Sequence, residues 1–155
     1  MKFQAALLVV EDMAASVKFY KEVLGLRVIM DLGANVTMTG GVALQTKESW
    51  CEFIEKDARE IAFGGNGAEL YFEEDAFDDF LKKLAGLTNI TYVHQLKEYA
   101  WGQRVVRFYD PDQHILEVGE NMKAVCQRFL NSGMSITETA VRMGVPEKYV
   151  RACAK

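Results

Sequence analysis

Glutamates in strand-like segments, two histidines and a group of large aromatics are among the residues in this chain whose types could do chemistry. Glu69 and Glu117 both fall in segments of strand-like composition. A carboxylate in such a place can help hold a divalent cation, move a proton as general acid or base, or pair with a basic ligand. Tyr71 is two residues from Glu69 and so shares its strand face, which makes it a candidate pocket wall. His114 lies three residues before Glu117; odd spacing puts the two on opposite faces and assigns His114 a structural role. His94 reads as the end of a strand ahead of a loop at 95–100, either near a pocket mouth or at the surface. Of Trp50, Tyr71, Tyr92, Tyr99, Trp101, Phe108 and Tyr109, most belong in a core. Trp50 and Trp101 fall in connector or loop positions and could cover an opening.

Several other chemistries are disfavoured. Gly64-Gly65-Asn66-Gly67 lacks the Lys-Ser/Thr of a P-loop and the strand-to-helix setting of a dinucleotide site, so it reads as a linker. Cys51, Cys126 and Cys153 are odd in number, far apart and without His at metal-finger spacing. That points away from a disulfide framework and toward a reducing, cytoplasmic compartment. The start shows no signal-peptide pattern, and there is no run of about 18 apolar residues for a membrane span. A net charge of −4 weighs against nucleic acid and says nothing about small ligands.

The elements that would position these groups occur twice. Residues 3–10 form an apolar run suited to a buried strand. Asp12 can cap a helix with Val17, Tyr20, Val23 and Leu24 on one face, ended by Gly25. Strand-like pieces follow at 26–32, 36–39 and 42–46. After a helical stretch at 48–62 the order returns: a strand at 69–73, a helix capped by Asp75 and closed by Gly86, and strands at 90–93, 103–109 and 114–118. Asp110-Pro111-Asp112 is a tight turn between the last two. The fold class is therefore α+β, with two β-α-β-β-β modules at 3–46 and 67–119 joined by a connector at 47–66, forming a cupped mixed sheet around one cavity. The first domain spans 1–120.

Residues 121–155 differ. They read as three short helices, with a capping box at Ser135 and Glu138 and a Gly144 turn that suits a helix-turn-helix pair. This tail carries a net +4 against −8 for the body. Its second helix offers few base-reading side chains beyond Lys148 and Arg151, so a helical clasp on the body or on a partner subunit is the favoured reading over DNA binding.

The run from Val10-Glu11-Asp12 through Phe19-Tyr20 to Leu24-Gly25-Leu26 resembles the opening signature of the vicinal-oxygen-chelate superfamily (glyoxalase, bleomycin resistance protein, extradiol dioxygenase). Trp101-Gly102-Gln103-Arg104 and Phe108-Tyr109-Asp110-Pro111-Asp112-Gln113-His114-Ile115-Leu116-Glu117 resemble its closing signature. The resemblance covers residues 3–119 and implies paired modules, a homodimer or fused halves, and four strand-borne metal ligands. Those ligand positions fall at Ala5, Gln45, Glu69 and Glu117. Ala5 stands where a His is usual and cannot bind a metal. The remaining set of one amide and two carboxylates would favour a hard divalent ion, Mg or Mn, over Zn, with Ni also to be tested.

Three functions follow. The preferred one is a small-molecule-binding protein with a degenerate metal site, in which Tyr71, Trp101, Trp50 and His94 contact the ligand. The second is a metal-dependent glyoxalase-like lyase or isomerase with Glu117 and Glu69 as acid and base. The third is a ligand-responsive regulator that acts through the tail. A small-molecule ligand and a second copy of the chain are the expected partners, without membrane or nucleic acid.

Overall fold

Apolar alternation builds the first sheet. Val10, Val36, Met38, Val42 and Leu44 are buried, and they sit on β1 (Ala6–Val10), β3 (Asn35–Met38) and β4 (Val42–Thr46). Burying each such side chain contributes roughly 1.5–3 kcal/mol. The structure, a computed structural model, describes residues 1–154. It has two compact units, residues 1–69 with 109–115 and residues 70–108 with 116–154.

In the first unit the sheet order is β1-β4-β3-β2, with β2 at Val28–Asp31. β1 runs parallel to β4, and the other pairs are antiparallel. The helix α1 (Met13–Leu24) begins at Asp12, whose carboxylate accepts from the Ala15 amide at 3.0 Å, and ends on Gly25. It buries Ser16, Tyr20 and Val23. The Asp110-Pro111-Asp112 turn is pinned to this helix. Asp110 accepts from the Tyr20 hydroxyl and from His114 Nδ1, both at 2.8 Å. Its other oxygen accepts from the amides of Asp112 and His114. Asp112 accepts from the Glu11 amide and the Ser16 hydroxyl. The signature residues here thus serve the fold, and His114 has the structural place expected of it.

Burial, followed by the Asp110 charge, pushes the Tyr20 phenol far above its usual range. Tyr20→Phe leaves three donors on Asp110, so it is expected to cost only about 1 kcal/mol. Urea unfolding of the two proteins checks this; a loss of several kcal/mol would mean that Asp110 depends on Tyr20 alone.

The helical stretch expected at 48–62 is corrected by the structure. α2 (Lys47–Ile54) stops at Glu55, which adopts a left-handed φ of 55°. Asp57 and Glu60 then close a capping box around a short 3-10 turn at Ala58–Glu60. Side-chain bonds to nearby backbone groups compete there with helix continuation.

The second unit repeats the strand order as β5-β8-β7-β6, using β5 (Glu69–Glu74), β6 (Thr91–Glu98), β7 (Arg104–Tyr109) and β8 (Ile115–Glu120). Its helix, α3 (Phe77–Ala85), buries Phe77, Phe80 and Leu84. The cap expected from Asp75 is not made: Ala76 holds the N-cap position with no side-chain cap bond, and Glu74 accepts from the Ala76 amide at 2.8 Å just ahead of the helix. β6 runs through most of the loop expected at 95–100. It is an edge strand, where exposed charges such as Lys97 and Glu98 are tolerated.

The tail forms α4 (Met122–Asn131), α5 (Ile136–Met143) and α6 (Glu147–Cys153) and packs within this second unit. Val125, Cys126, Phe129, Ala140, Met143, Val150 and Cys153 make its own apolar core. Polar anchors hold it to the strands. Glu120 takes two bonds from Arg104 and one from Arg128, each at 3.0 Å. Arg128 also donates to the Gly102 carbonyl at 2.6 Å. No helix among the described residues is long and apolar enough to cross a membrane.

Burial works to raise the Glu120 carboxyl, but the Arg104 and Arg128 bonds outweigh it and hold it below the usual range. A depressed carboxylate contributes stability above its unfolded pKa of about 4.3, lost as pH falls through the lower folded value. Urea midpoints are therefore expected to fall between neutral pH and pH 3, and Glu120→Gln to flatten that slope. An unchanged slope in the variant would remove Glu120 from the acid response.

Candidate functional site

Strand alternation places a polar band on one face of the second unit. Phe108 packs near Phe80 of α3, with ring centroids 6.4 Å apart. Its neighbour Arg107 must then face the other way, as must Glu117 between buried Leu116 and Val118. Arg107 and Glu117 meet there as an ion pair, with Glu117 only 6 % exposed. Arg107 also donates to the Tyr99 hydroxyl at 2.6 Å and lies 3.1 Å from His94 Nε2. A guanidinium has only donors, so Nε2 accepts and Nδ1 carries the proton, which goes to the Gln95 carbonyl at 2.7 Å.

The band continues through aromatics. Tyr99 and Trp101 stack with parallel rings whose centroids are 4.5 Å apart. Trp101 Nε1 donates to Gln103 Oε1 at 3.3 Å, and Gln103 Nε2 donates to the Tyr71 hydroxyl at 2.9 Å and the Glu120 carbonyl at 3.0 Å. Tyr71 in turn donates to Glu73 at 2.9 Å. Gly119 makes this possible: a Cβ there would sit 2.7 Å from Gln103 Nε2 and 3.2 Å from the Tyr71 ring. Partial burial is the main cause that raises the Tyr71 phenol above its usual range. Tyr71 and Trp101 stay 48 % and 39 % exposed, so the aromatic end of the band faces solvent.

The first unit holds a smaller polar cluster. Register places Gln45 beside Val9 on one side and Asn35 on the other. Gln45 is buried; its oxygen accepts from Asn35 Nδ2 at 2.7 Å and its nitrogen donates to the Ser49 hydroxyl. Trp50 follows on α2 and is half-buried. Ala5 precedes β1, and Glu69 opens β5 as an exposed residue.

These donors do not fit a divalent cation. Ala5 supplies no ligand atom. The Gln45 amide is bonded at both ends. The Glu117 carboxylate already faces the fixed charge of Arg107, which a cation would have to displace. Among the described residues, no group of three or more His, Cys, Asp or Glu side chains is arranged to hold a metal.

The second unit therefore brings together Glu117, His94, Trp101 and Tyr71 from the residues expected in the sequence, linked by Arg107, Tyr99 and Gln103. Arg107 and Gln103 were not among the residues expected in this cluster. A signal for Arg107 was present: one position from core Phe108, it had to face the side that Glu117 faces. Gln103 had none, because its role depends on the space left by Gly119.

An α+β chain with two β-α-β-β-β modules of identical strand order defines a paired-module fold with a polar, aromatic sheet face. Residues 3–123 match the family model described as a glyoxalase-like domain, and the chain belongs to that family. Among solved structures, a protein of unknown function from Agrobacterium tumefaciens is 36% identical, with a TM-score of 0.69 over 78% of this chain and 94% of that one. A lactoylglutathione lyase from Agrobacterium tumefaciens is 25% identical, with a TM-score of 0.60 over 78% and 94%. A glyoxalase/bleomycin resistance protein/dioxygenase from Nocardioides is 21% identical, with a TM-score of 0.64 over 77% and 83%, and shares the fold. A search of curated proteins finds no match.

Proposed function

We propose that this protein binds a small, planar organic molecule on the Arg107–Glu117 and Tyr71–Trp101 band, without a catalytic metal. The observation that carries this reading is the Arg107–Glu117 pair, which places a compensating charge where a metal ligand would need to be free. Stacking would occur on the exposed Trp101 and Tyr71 rings, with the Arg107–Glu117 pair fixing the sheet face beside them. His94 holds Arg107 in place rather than reaching the ligand itself. The protein would act as a dimer in the cytoplasm: the edge strand β2 leaves Val28, Ile29, Met30 and the following Leu32 exposed, an apolar strip suited to a second copy.

A thermal-shift screen of planar aromatic amines and acids, run in a chelator, tests the binding reading. A ligand at 100-fold excess over its Kd is expected to stabilise by about 2.7 kcal/mol, and the shift should vanish in Trp101→Ala with Tyr71→Ala. Shifts that occur only with added Mn, Ni or Zn would overturn it. They would favour the second reading, a metal-dependent lyase with Glu117 and Glu69 as acid and base, for which the likeness to a lactoylglutathione lyase is the support. The tail serves as a clasp in this proposal, since Arg128 is engaged with Glu120 and Gly102 and is not left for DNA.

A further inference from the structure

The tail contains chemistry that the ligand band does not use. Cys126 on α4 and Cys153 on α6 are both free thiols, buried in the same apolar cluster. Burial, and then Cys153 nearby, raise both the Cys126 thiol and the Tyr149 phenol above their usual ranges, in keeping with the place of the two cysteines in one cluster. The Gln127 amide donates to the Cys153 carbonyl at 3.4 Å and ties the same two helices. Cys153 also lines a cavity of about 430 Å³ whose wall includes Glu73, Asn121, Lys123 and Tyr149. Cys126 is fully buried and is absent from that wall.

We infer that Cys126 and Cys153 form a redox-active dithiol that small hydroperoxides reach through this cavity. The two sulfurs have different roles. Cys153, at the cavity wall, meets the oxidant first. As thiolate it attacks the distal peroxide oxygen, breaks the O–O bond, and becomes a sulfenic acid while the peroxide leaves as an alcohol, or as water from hydrogen peroxide. The Cys126 thiol, buried in the same cluster, then attacks the sulfenic sulfur and displaces water. The sum is two thiols and one hydroperoxide giving one disulfide, one alcohol and one water, and a small thiol reductant reverses it. Burial, and then Cys153 nearby, push the Cys126 thiol up to about 11, which suits a resolving thiol protected from direct oxidation. The bond would join α4 to α6 and fix the tail in its packed form.

The test uses the full chain carrying Cys51→Ser, so that only the two tail thiols react. Native protein is treated with a modest excess of hydrogen peroxide, then denatured and alkylated. Loss of both alkylatable thiols, a mass lower by two hydrogens, and a Cys126–Cys153 cross-linked peptide are expected, all reversed by dithiothreitol. The oxidised form should also show a raised thermal midpoint. Adding Cys126→Ser should arrest Cys153 as a sulfenic acid that dimedone traps. Retention of both thiols after peroxide, or oxidation to sulfinic acid without a cross-link, would overturn the inference. The parent Cys51→Ser protein carries the decision, so a folding defect in the second variant does not blur it.

Discussion

Glu117→Ala is expected to destabilise the protein by about 2–3 kcal/mol, toward the low end for breaking a buried ion pair. The reason is the charge left behind. Arg107 is 21% exposed at its side chain, so water relieves part of its loss but not all of it. Among its other partners, the Tyr99 hydroxyl and His94 Nε2 supply no carboxylate to replace Glu117. Removing both charges with Arg107→Met and Glu117→Ala should recover part of the loss, because the buried charge left by Glu117→Ala is then gone. Urea unfolding of the single and double variants measures the coupling. A Glu117→Ala cost within about 0.5 kcal/mol of zero, the range of ordinary surface changes, would show that the pair does not organise this face.

Gly102→Ala is expected to be at least as damaging, at about 3 kcal/mol or more, or a fall in Tm of roughly 6–12 °C. Two costs combine at this position. Gly102 has a φ of +89°, which side-chain-bearing residues rarely adopt. A Cβ there would also lie 2.1 Å from the Phe129 ring, inside any real contact. Phe129 belongs to the tail core, and the Gly102 carbonyl receives Arg128, so the turn before β7 and the helix α4 lock together at this glycine. Pairing Gly102→Ala with Phe129→Leu should remove part of the clash and restore some stability. A Gly102→Ala protein as stable as its parent would mean that the tail does not seat against this turn.

The fold was legible where local chemistry decides it. Asp12 and Gly25 bound α1 because a carboxylate cap and a left-handed glycine are local signals. The Ser135–Glu138 box opens α5 for the same reason. The misreadings arose where the deciding signal was weaker. Glu55 ends α2 in a left-handed conformation with no glycine to announce it. The second half of β6, residues 95–98, reads as loop because its charges are those of an edge strand. The site was legible only by parts. Glu117 stands out by its place in the closing signature, and Tyr71, Trp101 and His94 by residue type, but their linkage runs through Arg107, Gln103 and Tyr99. Those contacts cross between strands and depend on register and on the missing side chain of Gly119, which residue spacing along one strand does not contain.

The most direct test of metal-independent binding is a calorimetric titration of the chelator-stripped protein with Mn²⁺, Ni²⁺ and Zn²⁺, with Arg107→Met beside it. The parent protein should show no stoichiometric uptake of any of the three, because Arg107 holds the Glu117 carboxylate and Gln45 is bonded at both ends of its amide. One equivalent of metal bound at micromolar affinity by the parent, and lost in Glu117→Gln, would contradict the proposal and return the site to metal chemistry.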